Sequence, residues 1–77
     1  MDLKTAKEYF DLDVICKLYA VRDPMTVGWL LVLEGKDGRS WTLQTAKRQD
    51  KAFKSLDTLV GEVDSITGGV SSLTIGG

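Results

Sequence analysis

Seventy-seven residues suffice for one domain with a modest core, so close packing or a partner subunit must supply part of its stability. Hydrophobic content of 43% beside 27% charged residues excludes a wholly disordered chain, and a net charge of −1 excludes a protein that coats nucleic acid by general attraction. A lone cysteine, Cys16, excludes an internal disulfide, no apolar run reaches membrane-spanning length, and MDLKTAKEY lacks the apolar core of a signal peptide, so a cytoplasmic protein is expected.

Asp2 followed by Leu3, Ala6, Tyr9 and Phe10 at helical spacing predicts a short amphipathic helix over residues 2–11, with Asp2 as cap or first-turn acid and Asp11-Leu12-Asp13 ending it. Val14 to Val21, VICKLYAV, is rich in β-branched and aromatic residues and reads as a strand. The two-residue period puts Val14, Cys16, Leu18 and Ala20 on one face and Ile15, Lys17, Tyr19 and Val21 on the other. Both faces are largely apolar, so the strand is either central in a two-layer core or covered on its second face by another chain. Ile15, Tyr19 and Val21 are therefore the residues expected at a homodimer interface. Pro24 marks residues 22–28 as the connection to the next strand.

Trp29 to Leu33 and Trp41 to Leu43 flank the turn-rich Gly35-Lys36-Asp37-Gly38-Arg39-Ser40, the pattern of a β-hairpin. Trp29, Leu31 and Leu33 share one face and Trp41, Leu43 and Thr45 share one face of the returning strand; that side is expected to be core. Ala52-Phe53 reads as a short fourth strand after a turn at Arg48-Gln49-Asp50. Ser55 is a good helix cap with Asp57 in the first turn, and Leu56, Leu59, Val60, Val63 and Ile66 form a stripe at 3.6-residue spacing up to the stop at Gly68-Gly69. Val70 to Ile75 is a possible edge strand. The fold class is α+β, one domain over residues 1–77: a short N-terminal helix, an antiparallel three- to four-stranded meander, a second helix packed on the sheet and a possible C-terminal edge strand.

The sequence has no histidine, which removes the commonest general base and the common catalytic triads. Cys16 is expected to be a buried, inert packing residue. Asp11, Asp13, Asp57, Glu62 and Asp64 read as solvated surface, and neither Gly35-Lys36-Asp37-Gly38 nor Gly68-Gly69 has a phosphate-loop pattern. A non-enzymatic chain with no cofactor and no metal is expected. Lys36, Arg39, Lys47, Arg48, Lys51 and Lys54 fall within nineteen positions around Trp41 and Phe53 and are the candidate nucleic-acid contacts. The competing reading makes both aromatics core and the cations a solubilising edge.

Ser40-Trp41-Thr42-Leu43-Gln44-Thr45-Ala46-Lys47 followed by Phe53-Lys54-Ser55-Leu56-Asp57-Thr58-Leu59 resembles the small ParC-like, partition-associated proteins carried on bacterial plasmids and integrative elements. The resemblance also takes in Leu3-Lys4-Thr5-Ala6-Lys7 and the turn Val21-Arg22-Asp23-Pro24. It implies a bacterial mobile-element setting and a maintenance role without known catalytic residues, and no functional residue carries over from it. The leading expectation is a non-enzymatic, homodimeric accessory protein of plasmid or mobile-element maintenance that binds protein or DNA. The alternative is a small-ligand-binding or orphan domain, for which a large apolar pocket with convergent polar groups is the distinguishing feature.

Overall fold

The computed structural model describes residues 1–25, 27–69 and 73–75. Its first helix, α1 (Leu3–Asp11), begins where Asp2 leaves helical geometry and its carboxylate accepts from the Thr5 N–H at 2.9 Å, one of the donors that a helix start leaves unpaired. The helix ends in a tight reversal. Asp13 takes a left-handed φ of 62°, and the Val14 N–H donates to the Tyr9 carbonyl at 2.8 Å, turning the chain directly into the sheet.

Strand β1 (Ile15–Arg22) pairs antiparallel with β2 (Trp29–Gly35), and these two carry most of the sheet. Past the hairpin, β3 (Ser40–Thr42) and β4 (Ala52–Phe53) share the other edge of β2: β3 takes Val32 to Glu34, and β4 takes Trp29 and Leu30. The short fourth strand expected from the sequence is thus present, and it continues the line of β3 after an excursion through residues 44–50. The last strand, β5 (Leu73–Ile75), lies on the free edge of β1 and runs parallel to it. It does so because α2 (Leu56–Thr67) intervenes as a crossover, whereas the strands joined by short turns pair antiparallel. Residues 70–72 of the expected edge strand lie outside the described residues.

α2 starts and stops where its sequence signals stand. Ser55 is extended and its hydroxyl accepts from the Thr58 N–H at 3.3 Å; Gly68 closes the helix at φ 75°, with its N–H on the Asp64 carbonyl at 2.8 Å. Leu59, Val63 and Ile66 are buried, while Leu56 and Val60 lie at the margin. α2 packs on β1, β2 and β4, and α1 packs beside it against β1. Both helices therefore cover the same side of the sheet, where Leu18, Ala20, Leu31 and Leu33 are fully buried among them. Each such leucine stabilises the fold by roughly 1.5–3 kcal/mol relative to an exposed one. Among the described residues, no helix is long and apolar enough to cross a membrane.

One expected face assignment is corrected. Strict alternation places Ile15 with Tyr19 and Val21, but Ile15 is 1% exposed and belongs to the core with Leu18 and Ala20. The cause is a β-bulge. Ile15 pairs with Gly35 and Lys17 with Glu34, so Cys16 is an extra residue in β1 and the alternation reverses across it. Cys16, expected to be buried on the face of Leu18 and Ala20, is instead half-buried as the extra residue of that bulge, with its thiol 3.6 Å from the Glu34 carbonyl.

Candidate binding surfaces

The register that builds the core also builds the opposite face of the sheet, because residues paired across strands point the same way. Three rows cross that face. Lys17, Glu34 and Ser40 form the first; Thr74, Tyr19, Val32 and Thr42 the second; Val21, Leu30 and Ala52 the third. Tyr19, Val21, Leu30 and Val32 are half-buried by one another, and no element among the described residues covers them. Of the three expected interface residues, Tyr19 and Val21 stand here and Ile15 does not. Leu30 and Val32 take its place. Their signal was the unbroken apolar run of β2, which leaves both of its faces hydrophobic.

The Glu34 carboxylate one row away, which favours the neutral phenol of Tyr19 as an acceptor and repels its anion, pushes that hydroxyl above its ordinary value of about 10, with partial desolvation adding to the effect. At the other end of the face, Ala52 also lines an apolar pocket of about 290 Å³ with Val27, Gly28, Phe53 and Lys54. Met25 and Val27, in the connection between β1 and β2, are 86% and 92% exposed. The connection itself is held by the Asp23 N–H on the Gly28 carbonyl at 3.0 Å and by the Met25 N–H on the Asp23 carboxylate at 2.9 Å.

The six candidate nucleic-acid contacts do not form one patch. Lys36 is paired with Asp13, and Lys51 with Glu62. Arg39 is 2.5 Å from Asp37 and its guanidinium lies 5.1 Å above the Trp41 ring. The Arg39 N–H and side chain hold the Asp37 carboxyl below its ordinary value. Lys47, Arg48 and Lys54 are exposed and make no ion pair among the described residues. The extended run from Ser40 to Gln44 further separates the turn bearing Lys36 and Arg39 from the turn bearing Lys47 and Arg48, by about 15 Å.

Those two turns are built alike. In the first, the Gly38 N–H reaches the Gly35 carbonyl at 3.2 Å and the Gly35 N–H the Arg39 carbonyl at 2.7 Å, with Gly38 at φ 89°. In the second, the Arg48 N–H reaches the Thr45 carbonyl at 2.9 Å and the Thr45 N–H the Gln49 carbonyl at 2.8 Å, with Arg48 at φ 62°. A left-handed residue closes each hairpin; glycine does so freely, and arginine at a cost of about 1–2 kcal/mol. The second hairpin stands out from the sheet edge beside the start of α1. Between them lie two adjoining concavities of about 340 and 470 Å³, bounded by residues 1–5 and by Gln44, Thr45, Ala46, Arg48 and Lys51. Asp2, Lys4, Ala46 and Arg48 are exposed on that rim, so the groove is a solvated surface rather than the enclosed apolar site that a small-ligand reading requires.

Among the described residues, no three of Asp, Glu, Cys or His converge as a metal-binding group. Asp11, Asp57 and Asp64 are exposed, and Glu62, on α2, is half-buried and paired with Lys51. Comparison of the chain with protein-family models, with curated protein sequences and with solved structures finds no match in any of the three.

Proposed function

We propose that this protein is a non-enzymatic, cytoplasmic and homodimeric accessory module that works by protein association through the open face of its sheet. The observation that supports this is the apolar centre of that face, formed by Tyr19, Val21, Leu30 and Val32, on a sheet whose two helices both pack on the other side. Apolar surface gathered in one uncovered sheet face favours association, because covering it removes it from water. The sequence resemblance to partition-associated proteins adds the setting, maintenance of a bacterial plasmid or mobile element. The experiment is sedimentation of the wild-type chain and Leu30→Glu over a concentration series that rises from the micromolar range to on the order of several hundred micromolar, as a weak interface requires. Wild-type dimer at the upper end and a folded, monomeric Leu30→Glu throughout are expected; a wild-type chain that stays monomeric across the whole series overturns the reading.

A second reading, direct contact with DNA, is favoured by Lys47, Arg48 and Lys54 being exposed without a carboxylate partner among the described residues. Lys36, Arg39 and Lys51 contribute less because Asp13, Asp37 and Glu62 already neutralise them. Three phosphate contacts set the salt dependence of affinity at roughly 2.7 log units per log unit of salt. Charge reversal at Lys47 and Arg48 then removes most of the binding, and titration against single- and double-stranded DNA at two salt concentrations measures both effects.

A further inference from the structure

The open face is self-complementary about one particular line. Three cross-strand pairs of β1 and β2 lie on it, Lys17 with Glu34, Tyr19 with Val32, and Val21 with Leu30. We propose that two copies of the chain pack these faces together about a two-fold axis running along the β1–β2 seam, so that β1 of each copy lies over β2 of the other. This rests on the homodimer reading above and specifies its geometry. Half a turn about an axis parallel to the strands and midway between them exchanges the two members of every pair. Lys17 then faces Glu34 of the second copy, Tyr19 faces its Val32, and Val21 faces its Leu30. Every contact occurs twice, as an isologous interface requires.

Charge selects this axis over the other. A two-fold axis across the strands would set the Lys17–Glu34 row over the Val21–Leu30–Ala52 row of the second copy. Two ionised side chains would then be desolvated against apolar groups with nothing to compensate them. Along the seam, the cation of each copy meets the anion of the other at the rim, and the apolar rows meet each other. The strands also stay within about 30° of alignment, the ordinary angle for two sheets packed face to face.

The area is that of a weak, reversible interface. The strands across this face hold eight residues in β1, seven in β2, three and two in β3 and β4, and three in β5, so at about 4.8 Å between strands and about 3.3 Å per residue the face covers roughly 360 Å². Two such faces together cover about 700 Å², below the ~1,000 Å² of a stable specific interface and in the range of transient association. The dimer is therefore expected to dissociate on dilution into the micromolar range.

The test uses Lys17→Glu and Glu34→Lys, alone and mixed, with sedimentation to measure association and circular dichroism to verify the fold of each. Alone, each variant sets like charges against each other twice, and its dimer weakens by at least about tenfold. Mixed in equal amounts, Lys17→Glu carries two anions where Glu34→Lys carries two cations, so a heterodimer of near wild-type affinity forms. Native mass spectrometry identifies it. Lys17→Gln, which removes one charge without reversing it, is expected to weaken the dimer less and to gain nothing from mixing. Single variants that dimerise like the wild type, or a mixture that stays monomeric, overturn the seam axis while leaving the homodimer reading standing. A dimer that survives Leu30→Glu overturns the open-face contact itself.

Discussion

The two faces of this sheet are close in chemistry and different in fate. Leu31 and Leu33 are fully buried beneath α1 and α2, while Leu30 and Val32, alternating with them along the same strand, are half-buried by their neighbours alone. Hydrophobicity therefore does not decide which face the chain covers. The supply of covering elements does: α1 has nine residues and α2 twelve, they pack side by side, and one side of a four-strand path uses both. Five successive apolar residues in β2, Trp29 to Leu33, are what two covers call for, and the described residues provide one.

The comparison is broken most directly by truncation on each side. Leu31→Ala and Ile15→Ala remove fully buried side chains and are each expected to cost about 2–5 kcal/mol of folding stability, measured by urea denaturation at a dilution where the dimer is dissociated. Leu30→Ala and Val21→Ala, on the open side, are expected to cost the monomer about 1 kcal/mol or less and to weaken the dimer instead. If Ile15→Ala behaves like Val21→Ala, the placement of Ile15 in the core is wrong.

A smaller effect sharpens the reason that Ile15 belongs to the covered side. Cys16 is the extra residue of the bulge, so deleting it joins Ile15 to Lys17 in regular alternation and leaves Ile15, Leu18 and Ala20 on their present face. Deletion of a strand residue is ordinarily severe because it reverses every side chain beyond it. Here it is expected to cost about 1 kcal/mol, the loss of a half-buried side chain and of one weak thiol contact at 3.6 Å. A loss as large as that of Leu31→Ala would show that the bulge supports more than its own register.

The sequence made the elements legible because their signals are local. Ser55 and Gly68 bound α2, Asp2 caps α1, and Ala52-Phe53 pairs as a short strand, each from chemistry within a turn or two of the residue. Ile15 was misplaced because period-2 alternation has no term for an inserted residue, and nothing in VICKLYAV distinguishes a bulge from a regular strand. The parallel pairing of β5 depends on where α2 delivers the chain, which is a property of the whole topology. The basic cluster was contiguous in sequence and divided in space, since the strand between its two turns and the carboxylates of Asp13, Asp37 and Glu62 intervene. Of these only Asp37 stood within the cluster and faced its partner locally.

The smallest effect reads the open face through its tyrosine. The Glu34 carboxylate one row away favours the neutral Tyr19 phenol in the folded chain, so its pKa lies above the ordinary value of about 10. The sign follows: a folded-state pKa raised above the unfolded one adds stability below about pH 10, and that contribution is lost as pH rises through the folded value. Absorbance titration of tyrosinate is expected to show Tyr19 ionising late, and Glu34→Gln to bring it down toward the ordinary value, because the carboxylate supplies both the acceptor and the repulsion of a second negative charge. Repeating the titration at high and low protein concentration tests the open face once more. In the seam-centred dimer Tyr19 lies against Val32 of the second copy and loses water, so its titration moves further up as concentration rises. A Tyr19 titration insensitive to concentration would place the second copy somewhere other than over this residue.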